Sequence, residues 1–77
     1  MEPMTGAEAI KYIVEAFGIP SKYALAKSLS DNELTVQPIQ ISNYLNGTKM
    51  SQKVADRFFD TYGVIITDTH STGAFTK

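Results

Sequence analysis

The residues Pro38-Ile39-Gln40-Ile41-Ser42-Asn43-Tyr44-Leu45-Asn46-Gly47-Thr48-Lys49 decide how the whole chain is read. Proline suits the first turn of a helix, because its missing N–H would have no intrahelical partner there. Ile41 and Leu45 recur one turn apart and share a face, with Tyr44 on its flank. Gly47 is suited to the left-handed conformation that closes helices. The stretch predicts a short helix from Pro38 to Asn46 with an inward face of Ile41 and Leu45. Its outward positions are amides and hydroxyls rather than charges.

Working outward, the neighbouring segments carry equally clear punctuation. Ser21 caps a helix predicted from Lys22 to Leu29, with Leu25, Ala26 and Leu29 inward and Tyr23 beside them. Asp31-Asn32-Glu33 is a polar break. Further upstream, Thr5-Gly6-Ala7-Glu8 has the form of a capping box. Behind it Ile10, Ile13, Val14 and Phe17 fall on one stripe, and Gly18 and Pro20 end the helix, so Gly6 to Phe17 is predicted helical. Downstream, Ser51 caps a helix from Gln52 to Tyr62, with Val54, Ala55, Phe58 and Tyr62 at helical spacing, Phe59 on the flank and Gly63 at the end. Val64 to Thr67 is β-branched throughout and predicts an extended segment. The small, polar run from Thr69 to Lys77 is expected to fray. The fold class that results is all-α: a compact domain of four to five helices over residues 1–68, with a short extended C-terminal segment, followed by a flexible tail over 69–77. Its expected core is Ile13, Phe17, Leu25, Ala26, Leu29, Ile41, Leu45, Val54 and Phe58.

Composition narrows the function. Seventy-seven residues with 43% hydrophobic and 19% charged side chains fit one globular domain rather than a disordered chain. The longest strongly apolar run, Val64-Ile65-Ile66, is far short of the roughly 20 residues that span a bilayer. No basic, then apolar, leader is visible, and a cytoplasmic protein of a bacterial host, associated with the nucleoid, is expected. Without cysteine there are no disulfides, thiolate metal sites or thiol nucleophiles. The one histidine, His70, has no second ligand or acid–base partner at a telling spacing and reads as a solvated tail residue. No catalytic constellation, metal site or cofactor site is expected.

The segment Ile41 to Lys49, preceded by Leu25-Ala26-Lys27 and followed by Met50-Ser51, resembles the lambda-repressor-like helix-turn-helix family, which includes phage repressors, Cro proteins and XRE-type regulators. In that family a small residue packs inside the second helix, a branched residue opens the core of the recognition helix, and an Asn-Gly or similar pair ends it. Ala26, Ile41 and Asn46-Gly47 match those roles, and the resemblance covers about residues 5 to 66. One departure stands out. Ala26 and Ile41 are fifteen positions apart, a longer turn than the family pattern, and the extra residues include Asp31 and Glu33.

The resemblance implies a transcriptional regulator, a phage or prophage Cro-like repressor that binds a double-stranded DNA operator as a homodimer. Recognition helices place N-terminal residues on base edges in the major groove. Gln37, Gln40 and Asn43 suit adenine, Thr48 and Lys49 follow just past the helix, Ser42 lies nearby, and Ile39 is suited to a thymine methyl. Ser21 and Lys22, at the start of the second helix, are expected on phosphates, with Lys27, Lys49, Lys53 and Arg57 as further candidates. Charge is consistent with this but modest: residues 22–57 carry a net +2, the flanks −2 and −1, and the whole chain −1. A dimer would double the basic patches. The β-branched Val64–Thr67 segment is the expected dimer contact, with Ile65 and Ile66 on opposite faces. A different class of function fits the same pattern. The near-neutral charge, the acidic turn, and Tyr23, Tyr44 or Phe59 if exposed would suit a protein-binding module, such as a phage inhibitor of a host protein or an antirepressor.

Overall fold

The structure is a computed structural model that describes residues 2–69; Met1 and residues 70–77, with His70 and most of the expected tail, lie outside the described residues. Helix α1 (Gly6–Phe17) begins where the sequence sets its capping box: Thr5 Oγ1 accepts from the Glu8 N–H at 3.2 Å, and Glu8 Oε1 accepts from the Thr5 N–H at 3.0 Å. A third partner comes from the other end of the described chain, where Asp68 Oδ1 accepts the Gly6 N–H at 2.8 Å. Gly18, at φ +65°, supplies the left-handed stop.

Helix α2 (Lys22–Ser28) is capped by Ser21 Oγ, which accepts the Ala24 N–H at 3.1 Å. It stops one residue before the expected end, and Leu29 serves as its C-cap while remaining buried. Helix α3 (Pro38–Leu45) likewise ends one residue early, with Asn46 rather than Gly47 as its cap. Helix α4 (Gln52–Tyr62) has the expected bounds: Ser51 Oγ accepts from Val54 N–H at 3.3 Å, and Gly63 closes it at φ +74°. These four helices, with no strand among the described residues, make the domain all-α. None of them is long and apolar enough to cross a membrane.

Beyond α4 the chain runs extended, as its β-branched residues predict, and folds back on its own N-terminus. The Met4 N–H donates to the Ile65 carbonyl and the Thr67 N–H to the Met4 carbonyl, each at 2.8 Å, forming a parallel bridge. A second parallel bridge joins Met50 to Thr69, the residue expected to open the tail. One edge of the 64–67 segment is therefore already paired within the chain. Val64 is fully buried, Ile66 packs against the core, and Ile65 is exposed.

The core is one cluster. Ile10, Ile13, Leu25, Leu29, Ile41, Met50, Phe58 and Val64 are its largest fully buried side chains, joined by Val36, Tyr44, Val54 and the small Ala9, Ala26 and Ala55. Each large aliphatic or aromatic member contributes about 1.5–3 kcal/mol through burial. Two expected members do not belong. Phe17 is 52% exposed. It lies on the buried side of α1 by rotation, but one turn past the end of the core, and meets the edge of Tyr62 at a centroid distance of 5.0 Å. Leu45 is only half-buried, because it faces an open groove between α1 and α3. Tyr44, expected on the flank, is buried instead.

The long connection between α2 and α3 is built from its own polar residues. Asp31 Oδ1 accepts the N–H groups of Glu33 and Leu34 at 2.8 and 3.0 Å, and the Asp31 N–H donates to the Leu34 carbonyl at 2.8 Å. Ser30 Oγ donates to the Ala26 carbonyl at 2.8 Å and accepts the Val36 N–H at 2.9 Å, which seats Val36 in the core. Neither α2 nor α3 extends into this connection; the additional residues form a closed side loop.

Candidate nucleic-acid interface

Helix α3 packs against both α1 and α2. Ile41 and Tyr44 are turned inward, so the opposite side of the helix is open. Around the helix axis that side is occupied by Ile39, Asn43 and Asn46, all exposed. Gln37, Thr48 and Lys49, at the two ends of the helix, are exposed as well. The chain turns sharply after α3: the Gly47 N–H donates to the Tyr44 carbonyl at 3.1 Å and the Thr48 N–H to the Asn43 carbonyl at 2.9 Å. Gly47 takes φ +105°, where a side chain would be strained.

Gln40 is the site residue that sits differently from expectation. It is half-buried rather than outward, because its own helix uses its side chain. Oε1 accepts the Gln37 N–H at 2.8 Å, capping an orphan donor at the start of α3, and Nε2 donates to the Tyr44 hydroxyl at 3.4 Å. Asn46, placed by the sequence only at the helix end, joins the open face instead. Counting rotation from Ile41 around the helix would have found it.

Ser21 and Lys22 are both exposed at the start of α2. Ser21's hydroxyl is already an acceptor in the cap, while Lys22 stands on the rim of an open groove of about 560 Å³ between α1, α2 and α3. Ile10, Val14, Leu25, Ile41 and Leu45 line its floor, and Lys11 and Glu15 share the rim. Lys27 and Lys53 are exposed. Arg57 differs from the lysines: its guanidinium donates to Asp31 Oδ2 at 2.6 Å, tying α4 to the side loop. The pair shifts both groups toward their charged forms. The hydrogen bond from Arg57, helped by those from the Glu33 and Leu34 N–H groups, holds the Asp31 carboxyl down at about 2, and the Asp31 contact raises Arg57 further above its usual value. Thus Arg57 is not an idle cation, and one carboxylate of the acidic turn is already neutralised.

The open side of α3 offers a polar face interrupted by one aliphatic side chain, with Lys49 just past its end and Lys22 at the start of α2. Comparison of the chain with family models, curated proteins and solved structures gave no match.

Proposed function

We propose that the chain is a sequence-specific double-stranded DNA-binding regulator of the lambda-repressor-like helix-turn-helix type, with α3 as its recognition helix, working as a homodimer in the manner of a Cro-like repressor. The observation that carries the reading is the division of α3: one side is packed on α1 and α2, and the other exposes Ile39, Asn43 and Asn46 with Gln37 and Lys49 at its ends. Asn and Gln amides pair with adenine in the major groove, and lysines at the margins reach phosphates. The side loop supports the reading too. It closes on itself and on Arg57, so the extra residues leave α3 uncovered.

Selection from a random duplex library at two salt concentrations tests this directly. The expected result is an enriched motif with two related half-sites about one helical turn apart, bound more weakly at high salt. Lys22→Ala should weaken all sequences alike and flatten the salt slope, whereas Gln37→Ala should relax preference at one position by about 1–3 kcal/mol. If the wild-type chain prefers no duplex over competitor DNA, the reading fails. A protein-binding module then takes its place, favoured by one observation: Tyr23 and Phe59 are more than half exposed. Tyr44, buried in the core, no longer contributes to it.

A further inference from the structure

We infer that the groove between α1, α2 and α3 binds an amphipathic monoanion, an aliphatic chain ending in one carboxylate, of the medium-chain fatty-acid class. Its volume of about 560 Å³ falls within the roughly 300–1,000 Å³ of small-molecule sites, which in helical folds lie between helices. All three helices contribute apolar side chains. Ile10, Leu25 and Ile41, buried in the core, form the floor, and Val14, Ile19 and Leu45 stand partly exposed around it. An aliphatic chain lying in the groove completes the burial that the fold leaves unfinished at Val14 and Leu45.

The rim sets the charge of the occupant. Lys11 on α1 and Lys22 on α2 line it together with one carboxylate, Glu15. All three are exposed, and none is in an ion pair among the described residues. Lysines lay their methylene stems on apolar surface and keep the ammonium in water, so these two place positive charge at the mouth of an apolar groove. Ser21, the remaining polar side chain there, has its hydroxyl committed as an acceptor in the α2 cap. The rim therefore carries one positive charge in excess, and a single carboxylate on the occupant brings it to neutrality. A cation adds to the excess. The site uses the packed side of α3, through Ile41 and Leu45, and not its open face, so the inference stands or falls independently of the DNA reading.

The test is calorimetric titration of the whole chain, without DNA and below micelle concentrations, with hexanoate, octanoate, decanoate and decylamine. Affinity for the acids should rise about fourfold with each added CH₂, the value of burying one such group. Decylamine, with the same chain and the opposite charge, should bind about fivefold more weakly than decanoate. Val14→Asp, at an exposed position, puts a carboxylate in the groove wall and should abolish decanoate binding while circular dichroism shows the variant folded. Lys11→Gln combined with Lys22→Gln should keep the chain-length dependence and lose the preference for acid over amine; both positions are exposed, so this variant decides the matter even if Val14→Asp does not fold. A wild type without saturable decanoate binding overturns the inference, as do equal affinities for decanoate and decylamine, a folded Val14→Asp that binds as the wild type does, or a double variant that keeps the acid preference. Decanoate that splits a wild-type dimer into monomers in sedimentation equilibrium makes a second copy the occupant of the groove and overturns it too.

Discussion

Arg57 and Asp31 come from a helix and a loop 26 positions apart and meet at 2.6 Å. Their effect on stability has a definite sign. Unfolded, the Asp31 carboxyl titrates at its ordinary 3.8; folded, it titrates at about 2. The folded state therefore holds that proton less tightly, and the pair's contribution is complete above about pH 4 and lost as pH falls through 2. Asp31→Asn keeps the Oδ1 acceptor for the Glu33 and Leu34 N–H groups but removes the charge. Thermal melts of the two proteins should differ by a constant amount above pH 4 and converge below it; a gap unchanged down to pH 2 would contradict the assignment. Ser30 makes a sharper stability prediction. Its hydroxyl is the acceptor for the Val36 N–H, so Ser30→Ala should cost about 1–3 kcal/mol in urea denaturation. Neither residue's role was legible in the sequence, where Asp31 and Glu33 read as an acidic break and Arg57 as a phosphate contact. Only the folded path of the loop brings Asp31 beneath α4.

The elements themselves were legible because each carries its own boundary chemistry. Thr5, Ser21 and Ser51 are caps, Pro38 opens α3, and Gly18 and Gly63 adopt the left-handed conformation their positions require. Hydrophobic periodicity then gave the buried side of every helix, but it measures rotation about an axis and not position along it. Phe17 has the correct rotation and still projects past the core; Leu45 has the correct rotation and faces a groove. Conversely, Val36, Met50 and Val64 lie in connections with no period to reveal them, and all three are buried in the common core. On α3 the same limit applied to Gln40, whose capping role competes with an outward one. The packing differences predict an order of effects. Ile41→Ala should lose about 2–5 kcal/mol because the side chain is fully buried, and Leu45→Ala should lose clearly less. Equal losses in denaturant titrations would show that the groove beside Leu45 is closed in solution.

For the whole molecule, charge and surface have to be reconciled. A chain of net charge −1 gains little from long-range attraction to phosphate, so the proposed operator binding relies on two copies acting together. The fold limits how those copies can meet. Met4 already occupies one edge of the 64–67 segment, so symmetric strand pairing through that edge is blocked. An apolar surface is available on the outer side of the segment, where Ile65 is 41% exposed and Phe59 of α4 is 55% exposed, both lining a shallow recess with Ala55 and Ile66. Two such surfaces related by a twofold axis would cover each other's apolar side chains, and the same axis would fix the separation of the two α3 helices. Ile65→Lys places a charge at that contact and leaves the backbone bridge to Met4 untouched, since the bridge uses the Ile65 carbonyl. Sedimentation equilibrium at micromolar concentration should find the wild type dimeric and Ile65→Lys monomeric. The variant should still melt cooperatively, and its affinity for a two-half-site operator should fall toward that for a single half-site. A wild-type chain that stays monomeric both free and on operator DNA would exclude the twofold arrangement and confine recognition to one half-site.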